Sequence, residues 1–280
     1  MQEANTAQHS SYANLTPSEC AIKYRNRDLL GRFGCAAAAV VLTLVACWPY
    51  VIGQAGWPRL LLAIPIVVAC VAVEFLLFSR WGRDFQGIVT NDCDPAKMLK
   101  VEELLLGRIK NRRTRAQHLL IASQAAMLTG DVARSRQHRD EAVATGKLAG
   151  SFKFMALNIG IGCANLEKDW QQVRSLRDEA AASYPKARGA LKAGLDQMLA
   201  FADEALAATE GDLQTAETLL DKIDALAKLP EQQASAAFRR AELETLKGND
   251  EAARPYYMKA EREGGTCFFA REAAAWLAAH

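Results

Sequence analysis

From Phe33 to Ile52 the chain reads FGCAAAAVVLTLVACWPYVI, twenty residues without a charge. At 1.5 Å of rise per residue that is about 30 Å of helix, the thickness of bilayer hydrocarbon. A short break, Gly53 to Arg59, leads into Leu60–Phe78, nineteen more residues with Glu74 as the sole charge. The pattern predicts two membrane-spanning helices joined as a hairpin. Trp48, Tyr50, Trp57 and Trp81 fall where aromatic rings favour the membrane–water interface.

Beyond Ser79 the pattern changes. Residues 80–94 are rich in Gly, Asn and Asp and read as a linker. Asp94 before Pro95 has the form of an N-cap followed by a first-turn proline. From there to the end, Ala, Leu, Glu, Lys, Arg and Gln dominate without strand alternation, so this part is expected to be all helical. Corners recur at Thr129-Gly130-Asp131, Glu167-Lys168-Asp169, Glu210-Gly211-Asp212 and Lys247-Gly248-Asn249, spaced 38, 43 and 37 residues apart. Five and twelve positions after each corner centre stand Ser135 and Ala142, Val173 and Ala180, Ala216 and Ile223, Ala253 and Ala260. Seven residues are about two helical turns, so each pair shares a face on which helices can approach closely. Ala126, Ala164 and Ala207 recur four residues before the first three corners, and Glu244 takes that place in the fourth.

These corners resemble the tetratricopeptide repeat (TPR) family, most closely at Gly211-Asp212-Leu213-Gln214-Thr215-Ala216 and Gly248-Asn249-Asp250-Glu251-Ala252-Ala253. Pro185 and Pro230 close units where that family often has proline, and 266–279 looks like its sealing helix. The layout, two spans and Asp92-Cys93-Asp94-Pro95 before the repeats, is also similar to bacterial membrane proteins of uncharacterised function. The fold expected is therefore all-α: a transmembrane hairpin followed by a TPR-like α-solenoid of about four helix pairs with a C-terminal capping helix. Its parts are a disordered basic tail (1–32), the hairpin (33–79), the linker (80–94) and a cytoplasmic repeat domain (95–280).

Charge sets the orientation. Lys23, Arg25, Arg27 and Arg32 precede the first span and Arg80, Arg83 and Lys97 follow the second, while the break holds only Arg59. The positive-inside rule then places both termini in the cytoplasm, with the hairpin in the plasma (inner) membrane. Leu44-Val45-Ala46-Cys47 has the look of a lipoprotein cleavage box, but its leader is too long and a second span follows. Net charge is only +2, which gives no case for nucleic acid. Seven widely spaced cysteines, an odd number without C-x-x-C, read as reduced, buried thiols.

Catalytic and metal chemistry find weak candidates. The four histidines form no metal motif. Gly160-Ile161-Gly162 lacks the third glycine of a dinucleotide fingerprint, and Asn91, Asp92 and Asp94 lack the rest of a calcium loop. The expectation is a protein without enzyme activity, cofactor or metal. Helical solenoids bind peptides along the first helices of their pairs, and the corner register turns Gln117, Gln124, Asn158, Asn165, Phe201, Phe238 and Glu242 into that groove. The amides would hold a backbone and the phenylalanines an apolar anchor. Arg108, Lys110, Arg112, Arg113 and Arg115, close after the membrane exit, are candidates for contact with lipid headgroups. The partners expected are proteins or peptides and membrane lipids, with self-association left open. The function expected is a membrane-anchored adaptor or scaffold. Its rivals are an accessory subunit held through its spans and a membrane enzyme or transporter using Glu74.

Overall fold

The computed structural model describes residues 9–53, 61, 63–146, 148, 150–183, 185 and 187–280. Among these the chain is all helical, with thirteen α-helices, one π-helical turn and no strand. Its contacts divide it into two compact units, one of Ser10–Gly87 and one of Ile88–His280 with His9.

The first unit corrects the expected disordered tail. Helix α1 (Pro17–Leu29) opens on a capping box in which the Glu19 carboxylate accepts the Thr16 amide at 2.8 Å and the Thr16 hydroxyl accepts the Glu19 amide at 3.4 Å. Asp84 accepts from the Ser11 amide at 2.8 Å and from Arg27 at 2.6 Å, and the Tyr12 and Phe85 rings meet with centroids 5.5 Å apart. The segment looks disordered because its hydropathy is low, but its polar groups are satisfied by partners more than fifty residues away in sequence. A π-turn, Leu30–Gly34, carries α1 into α2 (Cys35–Val51).

Helix α3 runs over Ala63–Thr90, so most of the expected linker at 80–94 is helix. Gly82 and Gly87 are tolerated because Phe85 and Ile88 bury the helix around them. Over Ile64–Thr90 this helix is long and apolar enough to cross a membrane; the apolar part of α2, Cys35–Trp48, is shorter. Both helices leave large apolar side chains outside, Val45 at 68% and Phe75 at 72% exposure. Of the expected hairpin break, Gly53 to Arg59, only Gly53 is described, and 54–59, with Trp57 and Arg59, lie outside the described residues.

The second unit contains α4 (Pro95–Leu106), then α5 (Arg112–Leu128) and α6 (Val132–Ala144), α7 (Ser151–Leu166) and α8 (Trp170–Ser183), α9 (Gly189–Glu210) and α10 (Leu213–Leu226), α11 (Pro230–Leu246) and α12 (Asp250–Glu263), and finally α13 (Phe268–Ala279). Each of the four corners found in the sequence separates the two helices of a pair. Gly130, Lys168, Gly211 and Gly248 take φ of +82°, +58°, +79° and +74° there. The next residue, Asp131, Asp169, Asp212 or Asn249, caps the second helix by accepting the amide three residues on at 3.1–3.3 Å. The eight residues five and twelve positions beyond the corners are all fully buried, which is what close helix approach requires. The longer spacing of 43 residues has its cause in α9, which is 22 residues against 17 in α5 and α11.

The last turn reaches back to the first. The Thr266 amide donates to the Cys93 carbonyl at 2.9 Å, and its hydroxyl accepts the Ala96 amide at 3.2 Å and donates to Asp94 at 2.9 Å. Arg271 of α13 donates to the Thr129 carbonyl at 2.9 Å. Gly265, at φ +55°, is where only glycine fits, since a Cβ would stand 2.2 Å from the Cys93 carbonyl oxygen. The Asp92-Cys93-Asp94-Pro95 segment thus caps α4 and latches the end of the chain to its beginning.

Candidate functional site

The first helices of the pairs face a common interior. A cavity of about 1330 Å³ is lined by α5, α7, α9, α11 and α13, with additions from the corners and from Tyr257 of α12. Six of the seven predicted groove residues border it: Gln124, Asn158, Asn165, Phe201, Phe238 and Glu242. Gln117 does not; it lies two turns before Gln124 on the same stripe of α5, but the lumen begins only at Gln124. The last turn is latched to the first, so the first helices line a ring-closed groove that stays open to solvent, with Asn158 and Glu242 exposed on its wall.

Close packing shapes this lumen. A Cβ on Gly162 would lie 2.2 Å from the Met127 sulfur, so that glycine brings α7 against α5. This accounts for Gly160-Ile161-Gly162 as helix packing. Ser123 and Ser135 hold α5 and α6 together reciprocally, each hydroxyl donating to the other's carbonyl at 2.6 and 2.8 Å.

Glu231, Ser235 and Arg239, which the corner register did not name, line the cavity beside the predicted Phe238 and Glu242. On α11, Glu231, Ser235, Phe238 and Glu242 fall at steps of four, three and four, one stripe of a helix, and all four line the cavity. Beside them on α11, Arg239 reaches across to α9, pairing with the buried Glu204 and lying over the Phe201 ring at 4.8 Å. Phe238 meets Tyr257 and Phe268 edge-on at 5.9 and 6.1 Å, giving the lumen an aromatic wall. Loss of hydration beside the packed helices pushes the carboxyls of Glu231 and Glu242 up to about 7, although Glu242 keeps contact with solvent; for Glu242, Arg239 and Lys168 oppose the rise and Glu204 and Glu272 add to it. The stripe was legible, since i, i+4, i+7 and i+11 is a helical period, but a carboxylate every third turn looks like a solvated face until the helix opposite is known.

Of the five basic headgroup candidates, Arg108 and Lys110 are exposed in the connection before α5, and Arg112 and Arg113 at its start. Arg115 is already engaged, donating to the Leu106 carbonyl at 3.0 Å and pairing with Glu141 at 2.8 Å. Glu74 lies on α3, partly exposed, with no partner among the described residues. Asp94 is an N-cap rather than a calcium ligand, and among the described residues no three His, Cys, Asp or Glu side chains gather as a metal site.

Compared with known proteins, the chain matches no family model, no curated protein and no solved structure.

Proposed function

We propose that the protein is a membrane-anchored adaptor: a TPR-like helical array, tethered by a two-span hairpin in the inner membrane with both termini in the cytoplasm, that holds a segment of a partner protein in its lumen. The observation that carries this reading is the cavity of about 1330 Å³. That exceeds the roughly 300–1,000 Å³ of small-molecule sites and suits a stretch of peptide. Amides at Gln124, Asn158 and Asn165 and rings at Phe201 and Phe238 supply backbone hydrogen bonds and apolar contact without any catalytic group. Exposed apolar side chains on α2 and α3 support the lipid anchor, since water-exposed patches of that kind are rare in soluble monomers. The cations at 108, 110, 112 and 113 are assigned to anionic headgroups.

A photo-crosslinking amino acid placed in the intact protein, in cells, tests the reading. Adducts are expected from Asn158, on the cavity wall, and not from Gln214, which is equally exposed on α10 but does not line the cavity. Equal labelling from both positions, or none from Asn158, defeats it. A reporter active only outside the cytoplasm, fused after His280, should stay silent.

A second reading, an accessory subunit joined through its spans, is favoured by the exposed small residues Ala36, Ala37 and Ala38 of α2. Adducts from Ala37 in place of Asn158 would select it.

A further inference from the structure

The lumen is more particular than a polar trough for any extended chain. Of its four carboxylates Glu204 is paired with Arg239, whereas Glu231, Glu242 and Glu272 have no ion pair among the described residues. Three cations also line it: Arg239 is committed to Glu204, Arg271 donates to the Thr129 carbonyl, and Lys168 stands at a corner. With the Glu204–Arg239 pair set aside, three carboxylates face two cations, and the two carboxylates of α11 form an ion pair with neither. The acidic charge is also ordered, because Glu231 and Glu242 bracket Phe238 and Ser235 on one stripe of α11. Eleven residues of helix separate the two carboxylates by about 16 Å, the length of roughly five residues of extended peptide. Between them lies the aromatic wall of Phe238, Phe268 and Tyr257.

We propose that the lumen receives an extended segment of a partner protein in which two basic side chains, about five residues apart, flank an apolar anchor; the cations meet Glu231 and Glu242 and the anchor meets Phe238. This rests on the docking reading above and adds the chemistry of the ligand. Neither Glu231 nor Glu242 makes an ion pair among the described residues, and an ammonium or guanidinium entering beside them supplies a direct partner. Charge-assisted hydrogen bonds in such surroundings select strongly between ligands of the same shape.

The test uses the full chain in lipid nanodiscs and short fluorescent peptides of one apolar background, with Lys, Gln or Glu at two positions about five residues apart. The Lys peptide should bind roughly tenfold or more tighter than the Gln peptide, and the Glu peptide weakest. Glu231→Gln with Glu242→Gln should erase that ranking at unchanged helicity, and Glu242→Lys should favour the Glu peptide. The proposal falls if the three peptides bind alike, if the ranking survives in the double variant, or if none binds. Adducts at Asn158 alongside peptides that bind alike would leave the docking reading standing and remove this one.

Discussion

The Lys247 ammonium lies 3.0 Å from the Glu217 carboxylate, joining the corner of the fourth helix pair to the second helix of the third. The same two places are occupied in the earlier pairs by Arg174 with Glu210 and by Arg136 with Glu167, so the bond recurs with its charges reversed. Counting from the capping Asp or Asn, one partner is always five residues after it and the other two residues before the next cap. Glu217→Arg puts like charges together and should cost about 0.5 kcal/mol, and Lys247→Glu added to it should restore stability. A denaturation series on the four chains of this cycle measures the coupling, which should fade at high salt.

Helix α4 is tied to α5 by Glu102 and His118, fully buried and 2.7 Å apart. Burial pushes the Glu102 carboxyl up and His118 opposes that rise. Removing one partner strands the other, so His118→Leu should cost about 3 kcal/mol, and Glu102→Leu added to it should recover part of the loss. Thermal unfolding of both single variants and the double variant reads this, and a double-variant loss equal to the sum of the single losses would show that the pair is not coupled.

Lys168 holds a left-handed conformation at a corner where the other three pairs have glycine. A side chain there costs about 1 kcal/mol, so Lys168→Gly should raise the melting temperature. No increase would mean that the lysine side chain makes good the strain.

Closing the last turn onto the first depends on Gly265. Gly265→Ala should force the Cys93 carbonyl away and accelerate amide exchange at Thr266, whose hydrogen bond to that carbonyl is lost. Exchange at the Ala216 amide, within α10, should not change.

Stability should fall as pH rises from the ordinary carboxyl range up to about 7. Glu231 and Glu242 keep their protons to about 7 when folded, well above an ordinary carboxyl. Between the two values the folded chain holds protons that the unfolded chain has released, so raising the pH through that window favours unfolding. The double Gln variant stays neutral, and its advantage in melting temperature should be larger at pH 8 than at pH 5. An advantage independent of pH would remove the assignment.

Much of this protein is written in short-range pattern. The corners were legible because a left-handed residue followed by an Asp or Asn cap is a local conformation, and the buried small residues because helical period places positions five and twelve on one face. Tyr12, Ser11 and Arg27 were not legible as an ordered segment, since their partners Phe85 and Asp84 lie far along the chain. Nor was Arg115, which the sequence groups with its basic neighbours and the fold assigns to Glu141.

By itself the sequence determined the helical class, the long apolar stretch of α3, the four corners and the stripe that faces inward, all of which follow from rise per residue, capping and period. Only the tertiary structure decided that the array closes its last turn onto its first, that Gln117 lies outside the groove and that Asp92-Cys93-Asp94-Pro95 is a latch. Closure depends on small rotations between successive helix pairs adding up until Thr266 meets Cys93, and a sum over several interfaces leaves no mark at any one residue.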